Sequence, residues 1–290
     1  RMYSLPSLEN YLQLPLAKEK VRYVGEPVAF VVANSRYVAE DVLDEILVTY
    51  EELPAVVDIR DALTDKVLVH EGPGTNLAAK FTVSKGDVDA VFRTADYTRK
   101  ETFKVHRHTG NPLETRGLIS TYDSDKQDLT VWGPTKVPHF NRGVLAKLLD
   151  FEEDNIHFIE PDVGGGFGIR GEFYPEDFLI PWASMQLGKP IKWIEDRREH
   201  LMASNHSREL LYDIEIAVNN DGKVLALKSG VYGNMGAYIR THGALLPALG
   251  ARFLTGPYSI PNYEYTNHCV ITNKMGAGTY RAPGRYESCF

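Results

Sequence analysis

Asp162-Val163-Gly164-Gly165-Gly166-Phe167-Gly168-Ile169-Arg170-Gly171-Glu172 lies between two readable elements of a 290-residue chain. Before it, residues 156–159 alternate apolar and polar side chains as a strand does; after it, residues 175–187 read as a helix. Three successive glycines cost backbone entropy. They make sense where the chain takes positive φ or where backbone must approach another group closely. N–H groups ahead of a helix N-terminus form a cradle for an anion or an oxygen ligand. From the glycines alone, a plain tight turn reads equally well. No Lys-Ser/Thr follows Gly168 and the spacing is not GxGxxG, which argues against both usual nucleotide loops.

Outward from that stretch the elements are short and mixed. Pro175 suits a first helical position, Glu176 and Asp177 favour the first turn, Pro181 predicts a kink, and Gly188 and Pro190 predict the end. Upstream, residues 118–122 and 129–132 read as a hairpin, and a helix led by His139 buries Val144, Leu145, Leu148 and Leu149. Downstream, residues 190–195 read as a strand. Asn205, His206 and Arg208 suit either a solvated face or a buried polar network behind the glycine loop. Residues 211–218 and 224–232 form the clearest hairpin, around Asn219 to Gly222, and glycines 233 and 236 break its pattern. Residues 241–254 read as helical, and 268–272 as a last strand after a turn at 258–262.

The N-terminal part reads as a βαβ-like unit. A strand or strand pair spans 21–33, a helix capped by Asn34 or Ser35 carries Val38, Ala39, Val42, Leu43 and Ile46, and a strand returns at 47–50. Turn chemistry at Glu71 to Gly74 places a domain boundary near residue 75. Residues 81–87 start the second domain, followed by a short helix at 87–94 and a strand at 97–108. His106 and His108 have the spacing of a metal pair, yet no cysteine or carboxylate clusters with them; positioning groups or plain strand residues read better. Glu114 and Arg116 share a face of an extended segment and predict a buried pair.

A hydrophobic fraction of 43% with 24% charged residues is that of a soluble globular chain. A net charge of −7 argues against nucleic-acid binding. No apolar run approaches the roughly 20 residues of a membrane span, and no basic-then-apolar leader is visible, so neither membrane nor secretion is expected. Cys269 and Cys289 have no metal or disulfide spacing, which makes a cytoplasmic setting the default. The chain opens on Arg1 and stops at Phe290 just after a glycine- and arginine-rich loop, as a piece of a longer protein would.

Five stretches in series carry a resemblance: residues 24–29 (VGEPVA), 112–117 (PLETRG), 164–168 (GGGFG), 195–199 (EDRRE) and 280–285 (YRAPGR). Together they resemble the molybdenum-binding large subunit of the xanthine dehydrogenase/aldehyde oxidase family. The resemblance implies an α+β chain: the later part of an α/β hammerhead domain over 1–75, then the first half of a molybdopterin-binding domain over 76–290. The start of the hammerhead and the rest of the cofactor domain, with its catalytic glutamate, are then expected outside these residues, so no catalytic residue is assigned here.

By the same resemblance Gly165, Gly166, Phe167 and Gly168 match the loop whose backbone lies against the metal's oxo ligand, and Arg281 and Ala282 match a second loop lining the centre. Carbon monoxide dehydrogenases of the family hold copper with a cysteine where Ala282 stands, so copper is not expected. Lys136 replaces a frequent glutamine; it can only donate, and it adds a charge. Glu172 is the candidate substrate-side group, one residue later than the glutamate of purine oxidisers. The matching arginine would fall near Leu249, the nearest being Arg252, so purine specificity is not implied. The implied function is a molybdenum hydroxylase acting on an aldehyde or N-heterocycle with oxygen from water. It implies a molybdenum–molybdopterin cofactor, in dinucleotide form, with iron–sulfur clusters and FAD on partner subunits. A non-catalytic split or degenerate subunit acting as a scaffold is the alternative.

Overall fold

The computed structural model describes residues 6–289. Two sheets carry the second part of the chain. The larger has the order β1-β9-β8-β7-β2, from β1 (Leu77–Lys85), β2 (Tyr97–Val105), β7 (Leu210–Val218), β8 (Val224–Gly236) and β9 (Asn262–Ile271). Only β8 and β9 run parallel in it, and α7 (Leu245–Phe253) lies in the connection that crosses between them. The smaller has the order β5-β4-β3-β6, from β3 (Gly117–Asp123), β4 (Asp128–Trp132), β5 (Ile156–Ile159) and β6 (Ile191–Ile194). Here β4 and β5 are parallel and α4 (Pro138–Leu149) makes the crossover. A core of Leu118, Leu129, Val131, Leu145, Ile156, Ile180 and Ala183 closes α4 and α5 (Pro175–Leu187) onto this sheet.

The short elements form for local reasons. Asp87 caps α3 (Val88–Thr94), its carboxylate accepting from Ala90 N–H at 2.9 Å. Asp196 caps α6 (Arg197–Ala203) reciprocally with Glu199: Glu199 N–H donates to Asp196 at 2.7 Å and Asp196 N–H to Glu199 at 2.9 Å. Helix α5 starts at Pro175, ends at left-handed Gly188 and continues through Pro181 as one element.

Several expectations need correction. Strand β8 does not stop at Gly233 but continues to Gly236, where the register shifts at positive φ and a Cβ would collide with Met275–Gly276 backbone. Strand β9 starts at Asn262, inside the expected turn, because Tyr263 and Tyr265 alternate inward as core residues. The second part of the chain opens at Leu77, with strand β1, and not at Phe81.

The largest correction lies N-terminal. Helix α1 (Arg36–Asp44) forms with Ser35 as its cap, but residues 21–33 and 47–50 join no ladder among the described residues. A strand needs a partner for its N–H and C=O groups, and none of the described strands pairs with them. Val38, Val42, Leu43 and Ile46 accordingly stay 37–49% exposed, so the apolar face of this unit is uncovered. A short helix, α2 (Ile59–Ala62), follows. Val56, Ile59, Ala62 and Val69 instead join Met235, Tyr238, Ile239, Val270 and Ile271 in one core, together with Leu8, Tyr11 and Tyr23. That core joins residues from both sides of residue 75.

Candidate functional site

The glycine stretch follows β5 and ends in one tight turn, Ile169–Gly171. Gly165, Phe167 and Gly168 have φ of 102°, 53° and 120°. A Cβ at Gly168 would overlap the Thr279 carbonyl, so close backbone approach, and not only conformation, demands this glycine. Arg170, 5% exposed, holds the loop from behind. Its guanidinium donates to the Gly165 carbonyl at 2.9 Å, the Glu114 carbonyl at 2.9 Å and the Glu114 carboxylate at 2.7 Å. The same carboxylate accepts from Gly164 N–H at 2.9 Å. The N–H groups of Gly165, Gly166, Phe167 and Gly168 have no acceptor among the described residues. A rigid loop thus offers consecutive free donors.

The loop around Arg281 meets it directly. Thr279 Oγ1 donates to the Gly168 carbonyl at 3.1 Å and Arg281 N–H to the Phe167 carbonyl at 3.0 Å. The Arg281 guanidinium lies 4.7 Å from the Phe167 ring centroid. Ala282 takes φ 48° at the following turn. Arg208, 6% exposed, supports this loop by donating to the carbonyls of Tyr280 at 3.1 Å and Arg281 at 2.7 Å. Buried Asn205 donates to the Thr279 carbonyl at 3.3 Å and accepts from the Tyr174 hydroxyl, which also reaches the Ile169 carbonyl at 2.9 Å. Of the two readings of Asn205, His206 and Arg208, the buried network is the one formed, with His206 turned instead toward Arg107 at 3.3 Å.

The turn bearing Lys136 is the third component. Lys136 N–H donates to the Arg170 carbonyl at 2.9 Å. Thr135 Oγ1 accepts from Val137 N–H at 3.3 Å and from the buried Asn141 amide at 3.2 Å. The Lys136 side chain is exposed and its Cδ passes 3.5 Å from where a Gly171 Cβ would sit. Arg170 therefore ties the glycine loop to residues 114–115 through its side chain and to the Lys136 turn through its carbonyl.

Glu172 stands apart from the open side. Its side chain is wholly enclosed; one carboxylate oxygen accepts from His242 N–H at 3.3 Å and the other lies 3.3 Å from His242 Nδ1. The turn after Gly171 directs it inward, toward Gly278 and Asn205.

The expected Glu114–Arg116 pair is replaced by two separate ones, because residues 110–116 are irregular and β3 begins only at Gly117. Glu114 bonds Arg170. Arg116 bonds Glu195 at 2.5 Å and Glu176 at 2.9 Å, under the faces of Tyr174 and Trp193. His200 Nδ1 donates to the second Glu195 oxygen at 2.8 Å. Burial alone would raise the Glu195 pKa, but the His200 bond and the Arg116 charge outweigh it and hold the carboxyl down at about 2. Burial, with the Arg107 charge, pushes His206 down to about 4. His108 pairs its backbone with Ser207 as an isolated bridge. No group of three or more His, Cys, Asp or Glu suited to a metal ion occurs among the described residues.

Thr279, Arg170 and His242 were missed by sequence reasoning. Arg170 carried a signal, a cation two residues after the last loop glycine; Thr279 and His242 carried none, because their roles arise from contacts 111 and 70 residues away in the chain.

Residues 69–290 match the molybdopterin cofactor-binding domain, and residues 3–54 match the aldehyde oxidase and xanthine dehydrogenase a/b hammerhead domain. The chain is 39% identical over 284 residues to the 6-hydroxypseudooxynicotine dehydrogenase complex subunit gamma of Paenarthrobacter nicotinovorans, covering 98% of this chain and 36% of that protein. It is 35% identical over 300 residues to the carbon monoxide dehydrogenase large chain of Afipia carboxidovorans, covering 98% and 37%. The crystal structure of quinoline 2-oxidoreductase from Pseudomonas putida 86 superposes with a TM-score of 0.89 at 34% identity, covering 94% of this chain and 35% of that one. The chain thus spans a little over a third of the length of the curated relatives it matches.

Proposed function

The chain belongs to the molybdopterin cofactor-binding family of the aldehyde oxidase and xanthine dehydrogenase type, and from that premise we propose that it forms one wall of a molybdenum hydroxylase active site. The observation that carries this is the run of free N–H groups from Gly165 to Gly168, fixed by Arg170 and locked to Arg281. Fixed backbone donors stabilise an oxygen ligand without adding charge and need no reorganisation when it binds. The residues therefore fit the cofactor. When bound, the molybdenum–pterin group, in dinucleotide form, supplies the redox chemistry that hydroxylates a carbon with oxygen from water.

This chain's own part is positioning. Gly165, Gly166, Phe167 and Gly168 offer donors; Arg281 and Ala282 shape the facing wall; Lys136 brings a cation from the third segment. Ala282 has no ligating atom, which speaks against copper beside the molybdenum. Glu172 acts on the substrate side only through His242, since its carboxylate is enclosed. The substrate is an aldehyde or an N-heterocycle, and the quinoline named for one relative favours the heterocycle. Electrons leave to iron–sulfur and flavin partner subunits, and the rest of the molybdopterin-binding domain completes the pocket. The setting is cytoplasmic; no helix among the described residues is long and apolar enough to cross a membrane.

The test is turnover of aldehydes and N-heterocycles by the assembled protein in water labelled with heavy oxygen. Label in the hydroxylated product is expected. Unlabelled product, its oxygen drawn from dioxygen, would contradict the reading.

A further inference from the structure

Behind the glycine loop, two enclosed polar atoms face each other without other partners. Glu172 Oε1 and His242 Nδ1 are 3.3 Å apart, off the line of a straight hydrogen bond, and neither bonds anything else. The Glu172 side chain is 0% exposed and that of His242 10%. Two more contacts fix the segments that carry them: His242 N–H donates to Glu172 Oε2 at 3.3 Å and Phe173 N–H to Thr241 Oγ1 at 3.2 Å. The carboxylate already accepts the His242 N–H at Oε2, and with Oε1 acting as an acceptor in the same way the ring nitrogen facing it, Nδ1, is the donor. That choice settles the other nitrogen. Nε2 makes no hydrogen bond to the protein and is not among the enclosed atoms, so it is an accessible acceptor.

The location gives this acceptor a use. The Cε1 edge of His242 lies 3.6 Å from the Cβ position of Gly171, and Lys136 Cδ lies 3.5 Å from the same point. The imidazole thus borders the segment that follows the free donors of the glycine loop, beside the exposed lysine. The structure assigns Glu172 and His242 as a carboxylate–imidazole dyad in which Glu172 sets the tautomer and His242 Nε2 accepts a hydrogen bond from a ring N–H or O–H of a small heterocyclic ligand. Glu172 is a positioning residue here and His242 the recognising one. The assignment rests on the proposed function for the presence of a small-molecule pocket beside Lys136.

The experiment measures binding of two probes, 2-pyridone, which has a ring N–H, and pyridine, which has none, to the assembled protein by calorimetry, with molybdenum content determined on the same sample. The wild type is expected to prefer 2-pyridone by about tenfold, the factor that 1.4 kcal/mol supplies. His242→Phe abolishes the preference, His242→Gln keeps part of it through its amide oxygen, and Glu172→Gln weakens it by releasing the tautomer. A wild type without preference overturns the dyad before any variant is made. A preference that survives in His242→Phe overturns it as well, as does a preference undiminished from wild type in both His242→Gln and Glu172→Gln should the phenylalanine variant not fold. Absence of molybdenum would instead count against the proposed function, so the two failures are distinguishable.

Discussion

Arg281 grips Phe167 twice: its N–H donates to the Phe167 carbonyl at 3.0 Å, and its guanidinium lies 4.7 Å from the Phe167 ring centroid. One residue therefore couples the two loops through backbone and side chain at once. Arg281→Ala keeps the backbone bond and loses the stacked cation, a change of about 0.5–1 kcal/mol at a half-exposed ring. The fold should survive, with a thermal midpoint within a few degrees of wild type, while cofactor retention after gel filtration falls. Arg281→Lys should behave more like alanine than like arginine, because an ammonium lacks the planar face that stacks.

Gly168 and Gly72 form a matched pair for substitution by alanine. At Gly168 the added methyl meets the Thr279 carbonyl at φ 120°; at Gly72 it meets nothing within 4 Å. Gly168→Ala is expected to cost more than ~1 kcal/mol and Gly72→Ala close to nothing, read from urea unfolding midpoints. Equal midpoints would refute the close approach of the two loops.

Glu195 has Arg116 on one oxygen and His200 on the other, all buried. Glu195→Gln leaves the Arg116 charge with Glu176 as its remaining carboxylate and is expected to cost about 3 kcal/mol. Glu176→Gln, which removes a single bond at the edge of the same cluster, should cost less. Denaturant unfolding of both variants measures the order.

The contributions of His206 and Glu195 to stability should each fall on acidification, in separate pH ranges. The unfolded chain protonates His206 near its ordinary value of 6.5, whereas the folded chain resists until about 4. Between those values the unfolded state binds more protons, so folding weakens as pH drops. Glu195 has the same sign lower down: its stabilisation is complete above about 4.5 and is lost as pH falls toward about 2. His206→Asn should remove the upper stage and leave the lower, measured as urea midpoints across the pH range.

Much of this was legible in the sequence because it is local. The glycine stretch, the hairpin at residues 211–232 and the capped helix α5 each follow from turn, cap and periodicity signals within a few residues. Phe167 and Arg281 were paired only by the resemblance, since nothing local says that residues 114 apart meet. The strands expected at 21–33 and 47–50 were misread for a physical reason: an apolar run states that a segment seeks burial, not that a partner edge is present. The Glu114–Arg116 pair failed likewise, because shared-face arguments hold only inside a regular strand.

The most direct measurement is molybdenum per chain, by elemental analysis, on protein purified with its partners from cells supplied with molybdate. About one atom per chain is expected, falling in Gly168→Ala, which distorts the donor loop. Well-folded protein without molybdenum would contradict the account at its centre.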